Sequence, residues 1–112
     1  MKRTMVMFGI FAACIIAGTF TVAERSWADK GKSGESLFTE HCLMCHPDGG
    51  NIINPKKTLH KKDLDANNVK TADDIVKIMR SPGPGMTPFD GKTIPDAAAK
   101  DIANYILKTF GK

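Results

Sequence analysis

Cysteine is scarce in this chain, with only Cys14, Cys42 and Cys45 among 112 residues. Arginine is scarcer than its basic total suggests, occurring at Arg3, Arg25 and Arg80. There is therefore no arginine-rich stripe with aromatics between its charges, and the formal charge of +4 is no argument for a nucleic-acid partner. Aromatics make up 7%, with one Trp and one Tyr. Also missing are strand-like alternation, an internal repeat and any low-complexity segment. The length leaves room for one domain and no more.

A long uncharged run occupies the N-terminus. Lys2 and Arg3 precede residues 5–23, which carry no charge, and Glu24, Arg25 and Ser26-Trp27-Ala28 follow. A positive start, an apolar stretch and a small-x-small exit are the parts of a secretory signal peptide, here residues 1–28 with cleavage after Ala28. Two other readings stay open. The run is long enough for an uncleaved membrane anchor. A lipoprotein cut before Cys14 fits less well, because the apolar run continues through Ile15, Ile16 and Ala17. Cleavage would remove Lys2, Arg3, Arg25 and Glu24, reducing 16 basic and 12 acidic residues to 13 and 11, a formal +2. It would also leave two cysteines, both in one short motif. The remaining residues 29–112 can bury only a modest core, so an internal staple is expected.

That remainder reads as an all-α domain of four or so short helices joined by Gly- and Pro-rich connectors. Ser33 is a suitable N-cap for a first helix that puts Leu37, Phe38 and Cys42 on one face and runs into the cysteine motif. Residues 47–55, containing Gly49 and Gly50, are a loop, and a short helix follows around residues 61–66. Thr71 with Asp74 three residues on caps the next helix, which presents Ile75, Ile78 and Met79 at core-facing spacing. Pro82 ends it, and residues 81–88 form a stiff loop with two Gly and three Pro. The last helix runs from about Pro95-Asp96 to Phe110, with Ile102, Tyr105, Ile106 and Phe110 on its buried side and Gly111 as its stop.

The chemistry concentrates in Cys42-Leu43-Met44-Cys45-His46. Two vinyl groups lie a fixed distance apart on a porphyrin edge, and cysteines three apart on a helical turn can form thioethers to both. A histidine directly after them offers its imidazole to the iron, so the motif reads as attachment of one covalent haem c, the expected staple. The competing readings are a redox-active disulfide loop and a zinc site. The adjacent histidine argues against the first, and the second lacks a fourth ligand or a second CxxC. Export agrees with haem c, which is attached outside the cytoplasm. With His46 as one iron ligand, Met86 in Pro82-Gly83-Pro84-Gly85-Met86-Thr87-Pro88-Phe89 is the candidate for the other. Met/His ligation leaves no open iron position and favours the ferrous state. Met79 sits on an apolar helical face and is better explained as core. His41 and His60 are the remaining candidate ligands. The run Lys56 to Lys62, which contains His60, reads either as a solvated face or as a docking patch that steers an acidic redox partner to an exposed haem edge.

With these pieces placed, residues 31–110 resemble the class I monohaem cytochromes c, and within them the cytochrome c-six group of algae and cyanobacteria. The likeness is most specific in the cysteine motif and the following Gly49-Gly50-Asn51-Ile52-Ile53-x-Pro55-x-Lys57-Thr58-Leu59. The resemblance implies that Asn51 and Lys57 lie beside the haem propionates and that Met86 is the distal ligand. It also implies that the first and last helices cross through Gly34 and Phe38 against Ile102 and Tyr105. Two departures stand out. The group has Met-Pro-Ala before its aromatic, where this chain has Met86-Thr87-Pro88-Phe89. Where the group commonly has a Gln near the haem, this chain has Ile78, which implies a lower reduction potential than that of a photosynthetic donor.

The expected function is therefore one-electron transfer between redox proteins, with no enzymatic activity. A monomeric carrier in the periplasm is favoured, with the thylakoid lumen as its location if it is photosynthetic, and a respiratory role fits better than a photosynthetic one. Membrane contact is expected only if the N-terminal segment is retained. The alternative is a haem-based sensor or weak peroxidase with a labile distal ligand.

Overall fold

The computed structural model describes residues 31–112; the leader expected over residues 1–28 lies outside the described residues. The all-α expectation holds. Four α-helices, α1 (Gly34–His41), α2 (Lys61–Ala66), α3 (Ala72–Arg80) and α4 (Asp96–Thr109), are joined by irregular segments, and no strand occurs among the described residues. No helix there is long and apolar enough to cross a membrane.

Helices α1 and α3 begin where a side chain supplies a partner for their free N–H groups. The Ser33 hydroxyl accepts from the Ser36 N–H at the start of α1. Thr71 and Asp74 form a reciprocal capping box on α3, as their spacing predicts. Pro95 opens α4, where a missing N–H costs nothing. His41 ends α1, and Cys42 is its C-cap, so the cysteine motif lies in the turn beyond the helix rather than within it. Residues 47–55 are not wholly irregular, because Pro47–Gly49 form a single 3₁₀ turn.

The core forms where α4 packs against both α1 and α3. Leu37, Phe38, Ile75, Met79, Ile94, Ala99, Ile102, Ala103 and Ile106 are buried there. An isoleucine withdrawn from water as completely as Ile102 contributes about 1.5–3 kcal/mol. Gly34 lets α1 come close to α4, since a Cβ there would collide with the Asp101 carbonyl and stand 3.1 Å from the Tyr105 Cβ. Phe38 fills the crossing, with its ring centroid 5.4 Å from Tyr105 and 5.6 Å from Phe110. Met79 is core, as read from the sequence. Ile78 is not. It is 38% exposed, and the part of α3 buried against the protein core centres on Ile75 and Met79.

Candidate functional site

The cysteine motif is shaped by one tight turn. The Cys42 N–H continues the ladder of α1 by donating to Phe38 O, and the Cys42 carbonyl then accepts from both Cys45 N–H (3.1 Å) and His46 N–H (2.9 Å). Cys42 is buried and Cys45 is exposed, and both are free thiols. Burial, with Cys45 beside it, pushes the Cys42 thiol up to about 11. No three His, Cys, Asp or Glu side chains gather in a way that could hold a metal ion among the described residues.

After His46 the chain must reverse sharply. Pro47 opens the 3₁₀ turn, and Asp48 (φ 52°) and Gly49 (φ 75°) take left-handed conformations in succession. The reversal brings the Gly50 carbonyl back to His46 Nδ1 at 2.7 Å. A carbonyl only accepts, so Nδ1 carries the hydrogen and Nε2 of the neutral ring presents a lone pair. A ring held in this way is the arrangement a metal-ligating histidine requires. Gly49 is required twice: its φ is left-handed, and a Cβ there would lie 2.5 Å from the Phe110 ring. The end of α4 therefore covers the segment after the motif, and Phe110 O also accepts from Lys61 N–H. The sequence reading missed this role of Gly50 and Phe110. The paired glycines signalled the reversal, but not the carbonyl it delivers.

Asn51 organises the next loop. Its Oδ1 accepts from the N–H groups of Ile53 and Asn54, both at 2.9 Å, and its Nδ2 donates to Lys57 O at 2.8 Å. One amide hydrogen is left for another acceptor. The same loop carries the Lys57 amine toward the Pro-rich segment, where it stands 3.9 Å from the position of a Cβ built on Gly83. Ile53 approaches Gly85 so closely that a Cβ there would meet its Cγ2 at 2.8 Å. Asn51, Lys57 and the loop bearing Met86 are thus one neighbourhood. Met86 is half-buried against the core. His41 and His60 lie edge-on to Phe89 and Phe110 respectively, with ring centroids 6.1 Å apart in each case.

These donors fit a haem c: two free thiols spaced for thioethers, an imidazole with a fixed tautomer, and a half-buried thioether on a stiff loop. Comparison with known proteins agrees. The family described as cytochrome c oxidase, cbb3-type, subunit III matches residues 29–106. Cytochrome c6 of the alga Pyropia yezoensis is 34% identical over 111 residues, covering 99% of this chain and 96% of that protein. Cytochrome c6 of a Synechocystis species is 35% identical over 108 residues, covering 95% and 89%. Among solved structures, the outer-membrane cytochrome OmcF of Geobacter sulfurreducens superposes with a TM-score of 0.68 at 42% identity, over 70% of this chain and 99% of that one.

Proposed function

We propose that this chain, which belongs to the class I cytochrome c family and resembles its cytochrome c6 group, is a one-electron carrier whose iron ligands are His46 and Met86. Cys42 and Cys45 hold one haem c through thioethers. When bound, the haem supplies an Fe(III)/Fe(II) couple.

The chain's own residues do the rest. His46 offers Nε2 because Gly50 O occupies Nδ1. Met86 would be the second protein ligand of the iron and would leave no coordination site for a substrate, which supports electron transfer rather than catalysis. Lys57 and the free amide hydrogen of Asn51 serve the propionates, the first as a cation and the second as a donor. The exposed apolar side chains of Ile52, Ile53 and Ile78 suit contact with an apolar macrocycle. Ile78 offers no amide dipole, which supports a lower potential than a photosynthetic donor needs and favours a respiratory carrier. Lys56, Lys57 and Lys62 are exposed, so a transient encounter with an acidic redox partner is served by this face. The leader read from residues 1–28 supports export to the periplasm, where the carrier would act as a monomer.

The observation that carries this reading is the 2.7 Å contact from His46 Nδ1 to Gly50 O, which leaves the imidazole one nitrogen for a metal. A redox titration of the exported protein, followed by absorbance, tests it. The expected result is a single one-electron wave, with a weak near-red charge-transfer band in the oxidised form from sulfur bound to ferric iron. Absence of that band, together with rapid carbon monoxide binding by the reduced protein, would replace the carrier with the sensor or peroxidase alternative.

A further inference from the structure

The segment that bears Met86 is poorly tied down along its length. Apart from a local turn at Pro84 and Gly85, no hydrogen bond joins residues 82–88 to the rest of the described chain. Three prolines stiffen it but remove three donors. Its position therefore depends on its two ends and on apolar contact. The departing end is the C-cap of α3, where Ser81 N–H donates to Lys77 O. The returning end is Phe89, and it is gripped from both sides. Its N–H donates to Met79 O at 2.8 Å, and its carbonyl accepts from Arg80 Nη1 at 2.9 Å.

Arg80 is the only arginine beyond Arg25. Its second amino group, Nη2, donates to Asp96 Oδ1 at 2.7 Å, at the first residue of α4. One planar guanidinium thus joins the end of α3, the return of the loop and the start of α4. A lysine ammonium, as a point charge on a flexible stem, does not reproduce that fork. The two bonds differ in weight. Asp96 is largely solvated, so its ion pair is screened and contributes little. The bond to the Phe89 carbonyl is part-buried and charge-assisted, and its loss would strand that carbonyl.

We propose that Arg80 is a positioning residue for the distal ligand: by fixing the carbonyl of Phe89 it holds the return of the 81–89 loop, and with it the Met86 sulfur. This rests on the reading of Met86 as an iron ligand. Arg80 does not touch the iron, and its effect is on the competition between the sulfur and other ligands for the sixth position.

The test uses the haem-loaded protein, followed through the near-red band of the oxidised form as pH is raised, with the thermal midpoint measured alongside. Arg80→Met keeps the length and packing of the stem. It is expected to lower the pH at which the band disappears by about one unit, a roughly tenfold shift in the ligand equilibrium, as expected for a charge-assisted hydrogen bond. Arg80→Lys should fall between this variant and the unaltered protein, and it carries the test if Arg80→Met does not mature. Lys100→Ala is the control. It cuts the Lys100–Asp73 pair, which also joins α3 to α4 but leaves the loop alone, and it should not move the band. If the Arg80 variants lose thermal stability while the band keeps its pH midpoint, the proposal is overturned and Arg80 is merely structural. It is overturned equally if Lys100→Ala moves the band as far. If the unaltered protein has no such band, the Met86 reading itself fails, and this inference fails with it.

Discussion

The two sides of the site are built by different means. The His46 side is a lattice of hydrogen bonds: Cys42 O takes two N–H groups, His46 Nδ1 meets Gly50 O, Ile52 N–H returns to Cys45 O, and Leu59 N–H reaches Gly49 O. The Met86 side has no such lattice and relies on proline stiffness, apolar contact and a grip at Phe89. If His46 and Met86 ligate as proposed, the first, beside two thioether anchors, would be kept in place and its frame would fix its orientation. The second, held only by its loop, could exchange, and its frame would decide how often it does. The contrast predicts that damage on the first side appears in maturation and stability, and damage on the second in spectrum and potential.

The largest effect belongs to the anchors. Replacing both Cys42 and Cys45 by Ala should yield a colourless product on co-expression with haem-attachment machinery, as measured by absorbance of the purified protein. Next comes Met86→Ala, which should keep the covalent haem but lose the near-red band, bind carbon monoxide when reduced, and drop in potential by on the order of 0.1–0.3 V out of the roughly 0.8 V that axial ligands span. A potential that stays put in that variant would erase the contrast. Gly49→Ala should cost about 2–4 kcal/mol, since it combines a left-handed backbone with a Cβ pressed against Phe110, and a thermal melt would read it. Its near-red band should persist.

The smallest effect lies away from both sides. Hydrogen bonds from the Lys70 and Thr71 backbone N–H groups hold the Asp74 carboxyl below its ordinary 3.8. A depressed folded-state value contributes stability above about 3.8 that is lost as pH falls through the lowered value. Asp74→Asn should therefore melt below the unaltered protein near neutral pH, with the gap closing on acidification and neither His46 nor Met86 disturbed.

What the sequence made legible was local. The cap at Ser33, the capping box of Thr71 and Asp74, the stop before Pro82 and the extent of α2 each depend on residues within one turn of one another. The cysteine motif was legible for the same reason. Contacts between distant segments were not. Nothing near Gly50 shows that its carbonyl serves His46, nothing near Gly49 announces Phe110, and Arg80 resembles any basic residue closing a helix. Gly34 was found only through resemblance to a family. Ile78 was placed in the core because its spacing fits, but only the packing of α3 against α4 decides which apolar neighbours are covered.

The close approach of Gly34 to Asp101 and Tyr105 joins the beginning of the domain to its end, and that has a consequence for biogenesis. The core cannot close until the last helix has been synthesised and delivered, because α4 is the surface on which both α1 and α3 pack. Until then Cys42 and Cys45 stand in an open chain. The order of the helices therefore works as a timer: whatever must reach the two thiols in an unfolded chain has until α4 docks.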